Sequence, residues 1–311
     1  MMMPLVSIII PCYNTGHYLA DAIESCLRQT HQDIEIIVVN DGSTDNTQEV
    51  AEQYAQVRHI YRENGGLAAA RNTGIAQAKG DFLQFLDADD ILLPEKISRC
   101  LAVFDKHPDT DIVYTDFELR AEDMQSILSN PDTRPKPEGA GRRDVLRKLI
   151  NETATFWVPH CVLVKTGVIR AVGCFEEGCL GVEDWNCWIK LAAADARFRY
   201  LNEKLVWYRY TAGSLSKREI LVADSRLKAA QLLRKIDLPD DIDLEEKIAG
   251  RHHAYAMVLW KHDQRGAARE QFRQAIAVHP AHHLARYMLL YMTYFLTSAQ
   301  VESLLGVIGR A

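Results

Sequence analysis

Short apolar runs alternate with segments of helical periodicity between residues 6 and 114, and this alternation limits the fold more than any other feature. Ser7-Ile8-Ile9-Ile10, Ile34-Glu35-Ile36-Ile37-Val38-Val39, His59-Ile60-Tyr61, Phe82 to Leu86 and Asp111-Ile112-Val113-Tyr114 read as strands. Leu19 to Gln29, Thr44 to Gln56, Leu67 to Ala78 and Pro94 to His107 read as the helices between them. Runs apolar on both faces, spaced by helices of about 10–15 residues, are buried only in a mostly parallel sheet with helices on both sides. An α/β layer is the expectation.

Asn130 to Gly141 is rich in Pro, Gly and charge and reads as a loop. A helix (Arg142 to Ile150), a strand-like Val158 to Val164, a helix from near Glu183 and two short strands (Phe198-Arg199-Tyr200 and Leu205 to Tyr210) follow. Beyond Lys217 the pattern is helical, so the chain divides into 1–216 and 217–311. Ala268, Phe272, Ala275 and Pro280 match last-helix positions of a tetratricopeptide repeat, but no second copy is present. A small helical appendage is therefore expected, with the apolar Tyr287 to Leu296 face available for core packing, a homodimer or peripheral membrane contact.

Ligands of open α/β sheets bind beyond the carboxyl ends of the strands. Three strand ends here are polar: Pro11-Cys12-Tyr13-Asn14, Asn40-Asp41-Gly42-Ser43-Thr44-Asp45 and Asp87-Ala88-Asp89-Asp90. The last places three carboxylates in four positions. Like charges so close repel unless something positive sits among them. A divalent cation held through oxygen ligands satisfies that need; the plainer reading is a loop in which Asp89 or Asp90 caps the next helix.

Ser43, Thr44 or Asp45 suits a helix cap, whereas Asp41, ahead of Gly42, is expected to turn its side chain into the cleft. Gly65 and Gly66, after Asn64, open the next helix, which carries Arg71 and Asn72. Bare N–H groups and a guanidinium suit a diphosphate. The alternative is a simple turn, with Arg71 paired to an aspartate of the cluster. Glu183 and Asp184 start a helix whose apolar face holds Trp185, Trp188, Ile189 and Leu191. They either favour the positive helix end or include a general base.

Several classes are excluded. The chain has 36 basic and 42 acidic residues and a net charge of -6, unlike a nucleic-acid binder. No G-x-x-x-x-G-K-[ST] or G-x-G-x-x-G follows the first strand, which argues against a P-loop NTPase or a dinucleotide enzyme. The seven cysteines form no C-x-x-C pair, so a zinc site is not expected and a cytoplasmic free-thiol protein is. No signal peptide or membrane span is evident.

Taken together, Ser7 to Asn14, Ile37 to Asp45, Asn64-Gly65-Gly66 with Ala70-Arg71-Asn72, Phe85 to Asp90 and Glu183-Asp184-Trp185 resemble family 2 glycosyltransferases of the GT-A fold. The five motifs stand in the family's order over residues 5 to about 216. The resemblance implies an inverting, metal-dependent hexosyltransferase that moves a sugar from a nucleotide diphosphate, expected to be UDP, to an acceptor hydroxyl. The acceptor would be a saccharide or lipid-linked, in cell-surface polysaccharide or glycolipid synthesis. By the same resemblance, Pro11, Tyr13, Asn14, Asp41, Asn64, Arg71, Asp87 and Ala88 would hold the donor. Asp89, with Asp87, would ligate Mn2+ or Mg2+; Asp184 would be the base, and Glu183 would orient the acceptor or support that base.

In many relatives a histidine stands where this chain has Thr211, which would leave the metal fewer protein ligands. Histidines 252, 253, 262, 279, 282 and 283 lie in the tail and are expected to be solvated. Two other classes were weighed. A nucleotidyltransferase would want a Gly- and Arg/Lys-rich loop after the first strand, absent from Pro11 to Gly16. A non-catalytic nucleotide-sugar-binding scaffold would use the tail for partners.

Overall fold

The computed structural model describes residues 3–129, 134–152, 158–211 and 218–280. It divides into two compact units, Met1–Ser214 and Leu215–Ala311. The first unit begins with β1 (Val6–Cys12), α1 (Gly16–Leu27), β2 (Ile34–Asp41), α2 (Thr47–Glu52), β3 (Val57–Arg62), α3 (Leu67–Gln77) and β4 (Phe82–Phe85). It continues through β5 (Ile91–Leu92), α4 (Lys96–Lys106), β6 (Ile112–Arg120), β7 (Gly139–Ala140) and α5 (Leu146–Ile150). The remaining elements are β8 (Val162–Lys165), α6 (Thr166–Ala171), α7 (Glu183–Ala193) and β9 (Arg197–Arg209).

These strands form one sheet in the order β3-β2-β1-β4-β8-β6-β9-β5, with β7 on β9. One half of it, β3-β2-β1-β4, is parallel throughout. Every residue of β1 is buried, as a strand covered on both faces requires. Helix α3 lies close over it: a Cβ on Gly74 would meet Ile9 Cγ2 at 2.3 Å. Because β1, β2 and β4 run the same way, their polar ends reach one edge.

The other half is mixed. β8 enters antiparallel between β4 and β6, while β9 runs parallel to β6. The two short strands expected around 198–200 and 205–210 are one strand, β9. Polar Asn202-Glu203-Lys204 looks like a turn in sequence, but Asn202 and Glu203 bulge out of the ladder and pairing with β6 resumes at Lys204, so the strand continues. Glu203 then turns outward to Arg99.

The second unit holds α8 (Glu219–Leu232), α9 (Leu244–Lys261) and α10 (Arg265–Val278). Asp243 caps α9 by accepting the Glu246 N–H at 2.9 Å. Ala256, Leu259, Trp260, Ala268 and Phe272 form its main core. The tail histidines are not uniformly solvated: His252 is buried, its Nδ1 2.7 Å from Gln271 Oε1. It lies on the face of α9 that packs against α10, a placement charge patterning does not report. Tyr287 to Leu296, His282 and His283 lie outside the described residues. Among the described residues no helix is long and apolar enough to cross a membrane.

Candidate active site

The ends of β1 and β2 are locked together. Asn14, with φ of 53°, receives a bond from the Thr44 N–H on its Oδ1 at 2.8 Å and donates its own N–H to Ser43 Oγ at 3.0 Å. Asp45 accepts the N–H groups of Gly16 at the start of α1 (2.9 Å) and Thr47 in α2 (3.1 Å), so it serves both helices. Pro11 is a buried part of β1, whereas Tyr13 stands 53% exposed beside this frame. An exposed ring on a rigid base is suited to stacking on a planar ligand.

Asp41 does not face the cleft as a free group. It is buried, and its carboxylate accepts from Arg62 Nη1, from Gly65 N–H at 3.1 Å and from Gly66 N–H at 2.8 Å. The amides expected to await a diphosphate are thus already occupied. Asn64 Nδ2 donates to Asp41 O at 3.0 Å. Gly42 makes this closure possible: it has φ of 75°, and a Cβ there would lie 2.8 Å from the Asn64 backbone nitrogen.

The Asp87–Asp90 turn follows β4 directly, closed by Asp90 N–H donating to Asp87 O at 3.0 Å. Ala88 is buried within it. Neither Asp89 nor Asp90 caps α4, whose N-cap is Glu95. The turn's charges are matched unevenly. Asp87 Oδ1 binds Arg71 Nη2 at 2.6 Å; burial pushes its carboxyl up, but Arg71 and then His160 hold it below the usual range. Asp90 Oδ1 accepts the Arg209 N–H at 2.8 Å, and its Oδ2 lies 2.7 Å from His160 Nδ1. The Asp89 carboxylate makes no salt bridge among the described residues. Burial, then Asp90 and Asp87, push its carboxyl up to about 7.

A second pair of acids completes the edge. Glu183 and Asp184 open α7, whose buried face carries Trp185, Trp188, Ile189 and Leu191. Glu183 is buried and fully engaged, Oε1 with Arg71 Nη1 at 2.6 Å and Oε2 with the Gly181 N–H at 2.8 Å. Asp184 accepts only the Trp185 N–H, at 2.6 Å, and has no basic partner among the described residues. Burial first and Glu183 second push its carboxyl up to about 7. Arg71 is therefore not a surface group reaching for phosphate. It is 1% exposed, and its guanidinium joins Asp87 to Glu183 beside the Phe175 ring, 5.4 Å away.

His160 and Arg209 stand in the site without any local signal. Arg209 clamps the turn from β9, donating from Nε to Asp89 O at 2.7 Å, from Nη1 to Glu122 O at 2.6 Å and from Nη2 to Asp21 Oδ2 at 3.0 Å. Burial lowers His160 but Asp90 outweighs it, leaving the imidazole well above its usual value. One ligand atom each from Asp87, Asp90 and His160 lie within 4.8 Å of one another. The residues fit a divalent cation: three carboxylates meet two protein cations, Arg71 and His160, and Asp89 is the one left unmatched. Thr211 is buried nearby in sequence, just past β9.

Comparison with known proteins decides the family. The model for glycosyl transferase family 2 matches residues 7–172. The chain belongs to glycosyl transferase family 2. It is 35% identical over 225 residues to the uncharacterized glycosyltransferase EpsJ of Bacillus subtilis, covering 70% of this chain and 64% of that one. It is 30% identical over 230 residues to glycosyltransferase GlyG of Streptococcus pneumoniae, covering 70% and 75%. An uncharacterized glycosyltransferase of Rickettsia prowazekii is 38% identical over 192 residues, with 60% of this chain and only 58% of that relative's length covered.

Among solved structures, S. aureus TarS 1-349 in complex with UDP-GlcNAc matches with a TM-score of 0.66 at 19% identity, over 93% of this chain and 91% of that one. The mannosyltransferase PcManGT from Pyrobaculum calidifontis, in complex with GDP-Man and Mn2+, matches with a TM-score of 0.60 at 17% identity, over 94% and 82%. At such identities the likeness is one of fold. This family 2 chain has a GT-A-like α/β fold: a mostly parallel central sheet, flanking helices and a helical C-terminal region.

Proposed function

We propose that this family 2 protein is an inverting glycosyltransferase moving a sugar from a nucleotide diphosphate donor, a UDP-sugar, to an acceptor hydroxyl on a saccharide or lipid-linked acceptor. Cell-surface polysaccharide or glycolipid synthesis is its setting. The activity belongs to residues 1–216, with 217–311 as a helical appendage. The observation that carries this reading is the division of the carboxylates. Asp87, Asp90 and Glu183 are each matched to a cation, whereas Asp89 and Asp184 are not, and both are pushed up to about 7. One unmatched acid sits on the donor side and the other at the start of α7, as a leaving group and a nucleophile require.

Asp184 accepts the acceptor hydroxyl's proton as that oxygen attacks, and a carboxyl near 7 is well poised for this at neutral pH. A single base and one attack from the face opposite the leaving group give inversion without a covalent enzyme intermediate. Glu183 cannot itself turn to the acceptor, since both its oxygens are bound; it supports the base through Arg71. Arg71 holds Asp87 and Glu183 at a fixed separation, linking the donor and base halves. Tyr13 offers the base-stacking wall, with buried Pro11 behind it in β1, while Asn14, Asp41, Asn64 and Ala88 shape the pocket through their backbone and hydrogen bonds. Asp89, with Asp87, would hold Mn2+ or Mg2+, which supplies Lewis-acid neutralisation of the departing diphosphate.

The test is a panel of nucleotide sugars assayed for binding and transfer with Mn2+, in wild type and Asp184→Asn. The variant is expected to bind donor as wild type does and to lose transfer. Unchanged transfer would falsify the role of Asp184. Binding with no transfer to any acceptor, in the wild type too, would favour a nucleotide-sugar-binding scaffold.

A further inference from the structure

His160 belongs to none of the motifs, yet it touches the donor side of the site at two points. It lies in the short turn Pro159–Cys161 that leads into β8. Since β8 runs antiparallel to β4, its beginning lies beside the end of β4, where the Asp87–Asp90 turn starts. The backbone there is held firmly: Gln84 Nε2 donates to His160 O at 2.9 Å and Lys96 Nζ to Cys161 O at 2.7 Å. The ring is fully buried, edge-on to Phe117 and against Tyr208, with centroids 6.2 and 5.0 Å away.

The two outer acids of the turn each divide their oxygens between a fixed protein group and this ring. Asp87 gives Oδ1 to Arg71 and turns Oδ2 toward His160 Nδ1, 3.9 Å away. Asp90 gives Oδ1 to the Arg209 N–H and sets Oδ2 against His160 Nδ1 at 2.7 Å. No other hydrogen-bond partner reaches either ring nitrogen among the described residues. The imidazole therefore sits against both outer acids of the turn, and Asp89 stands between those two acids in the chain.

We propose that His160 is a positioning residue for donor binding: it keeps Asp87 and Asp90 apart at a set distance, so that the turn presents Asp89 to the donor diphosphate and its cation. This rests on the nucleotide-sugar reading of the site. Without a polar ring there, buried Asp90 would face Asp87 with nothing between their Oδ2 atoms, Arg71 compensating only Asp87, and the turn would spread. The competing role is direct ligation, because the same three groups are near enough to cage an ion themselves.

The two are separated by His160→Leu and His160→Asn in the full chain, with UDP and Mn2+ as probes. The asparagine amide can donate near the place of Nδ1, and pulsed EPR of Mn2+ bound with UDP to the wild type reports whether an imidazole nitrogen ligates the ion. UDP affinity is measured by calorimetry across a Mn2+ titration, and the thermal midpoint is recorded without ligand. The leucine variant is expected to bind UDP with Mn2+ about 10–100-fold more weakly, as loss of a group orienting a ligand usually does. The asparagine variant should return to within about threefold of wild type.

A leucine variant with wild-type UDP affinity overturns the proposal, even if its thermal midpoint falls, since that is a purely structural role. An asparagine variant as weak as the leucine one overturns it, and imidazole-nitrogen coupling to Mn2+ in the wild type overturns it in favour of direct ligation. Should the leucine variant not fold, Asp90→Asn takes its place under the same criteria, because it keeps an acceptor for the Arg209 N–H and loses the charge facing His160. If the wild type binds no UDP with Mn2+, this proposal and the function it rests on both fall. If the wild type binds and the leucine variant binds equally, only this one does.

Discussion

Replacing Arg71 with methionine keeps much of the side chain's volume and removes the cation that Asp87 and Glu183 share. The guanidinium is 1% exposed and the Glu183 side chain 4%, so water cannot take over the lost contacts. Removing one partner of a buried ion pair costs about 3–5 kcal/mol, because the other charge stays buried without compensation. Asp87, 28% exposed and still 3.9 Å from His160, recovers part of its loss, so the two contacts do not double the figure. For a unit of this size each kcal/mol moves Tm by about 2–4 °C, which puts the expected drop at about 6–20 °C.

The effect also has a pH signature. In the wild type, burial raises the Asp87 carboxyl but Arg71 and then His160 hold it below its usual value. A depressed carboxyl stabilises the fold above its unfolded pKa, about 3.9, and that contribution is lost as pH falls through the lower folded value. In the variant the stranded acids prefer to be neutral, so the variant gains relative stability as pH falls. The gap between the two proteins should be widest near neutrality, narrow toward about pH 4 and go on closing below it. Urea denaturation followed by circular dichroism at several pH values measures it. A loss below about 1 kcal/mol at neutral pH, or a gap that widens in acid, refutes the bridging role of Arg71.

Two further outcomes are expected. With the Asp184 carboxyl pushed up to about 7, kcat/KM for transfer should rise about tenfold per pH unit up to about pH 7 and then level off; a flat profile over that range rules Asp184 out as the titrating base. Gly42→Ala should cost about 1–2 kcal/mol for the left-handed backbone alone, and more for the 2.8 Å approach to the Asn64 nitrogen. It should also weaken UDP binding by loosening the Asp41–Gly66 closure, and a variant with unchanged urea midpoint and UDP affinity would contradict that account.

Much of the site was readable from local pattern. The Asp87–Asp90 turn stands at the end of β4 and Glu183-Asp184 at the first turn of α7, because strand and helix periodicity fix where an element stops. The partners of these acids were less readable. Asp41 looked free because a strand-end acid before a glycine normally is; the fold brings the Gly65 and Gly66 amides onto it. Polar Asn202-Glu203-Lys204 reads as a break between two strands, whereas β6 pairs with the chain on both sides of an Asn202-Glu203 bulge.

The sequence by itself determined the α/β alternation, the edge on which the polar strand ends gather and the motifs that mark family 2, since all of these depend on neighbours a few residues apart. Only the tertiary structure decided which carboxylates are matched and which are left wanting a cation or a proton. Arg71 finds Glu183 across 112 residues of chain, and His160 reaches Asp90 because β8 inserts antiparallel beside β4. Burial makes each such pairing strong and each missing one costly, and burial is a property of the packed molecule rather than of any stretch of chain. That is why three aspartates in four positions could announce a site but not say which of them was open.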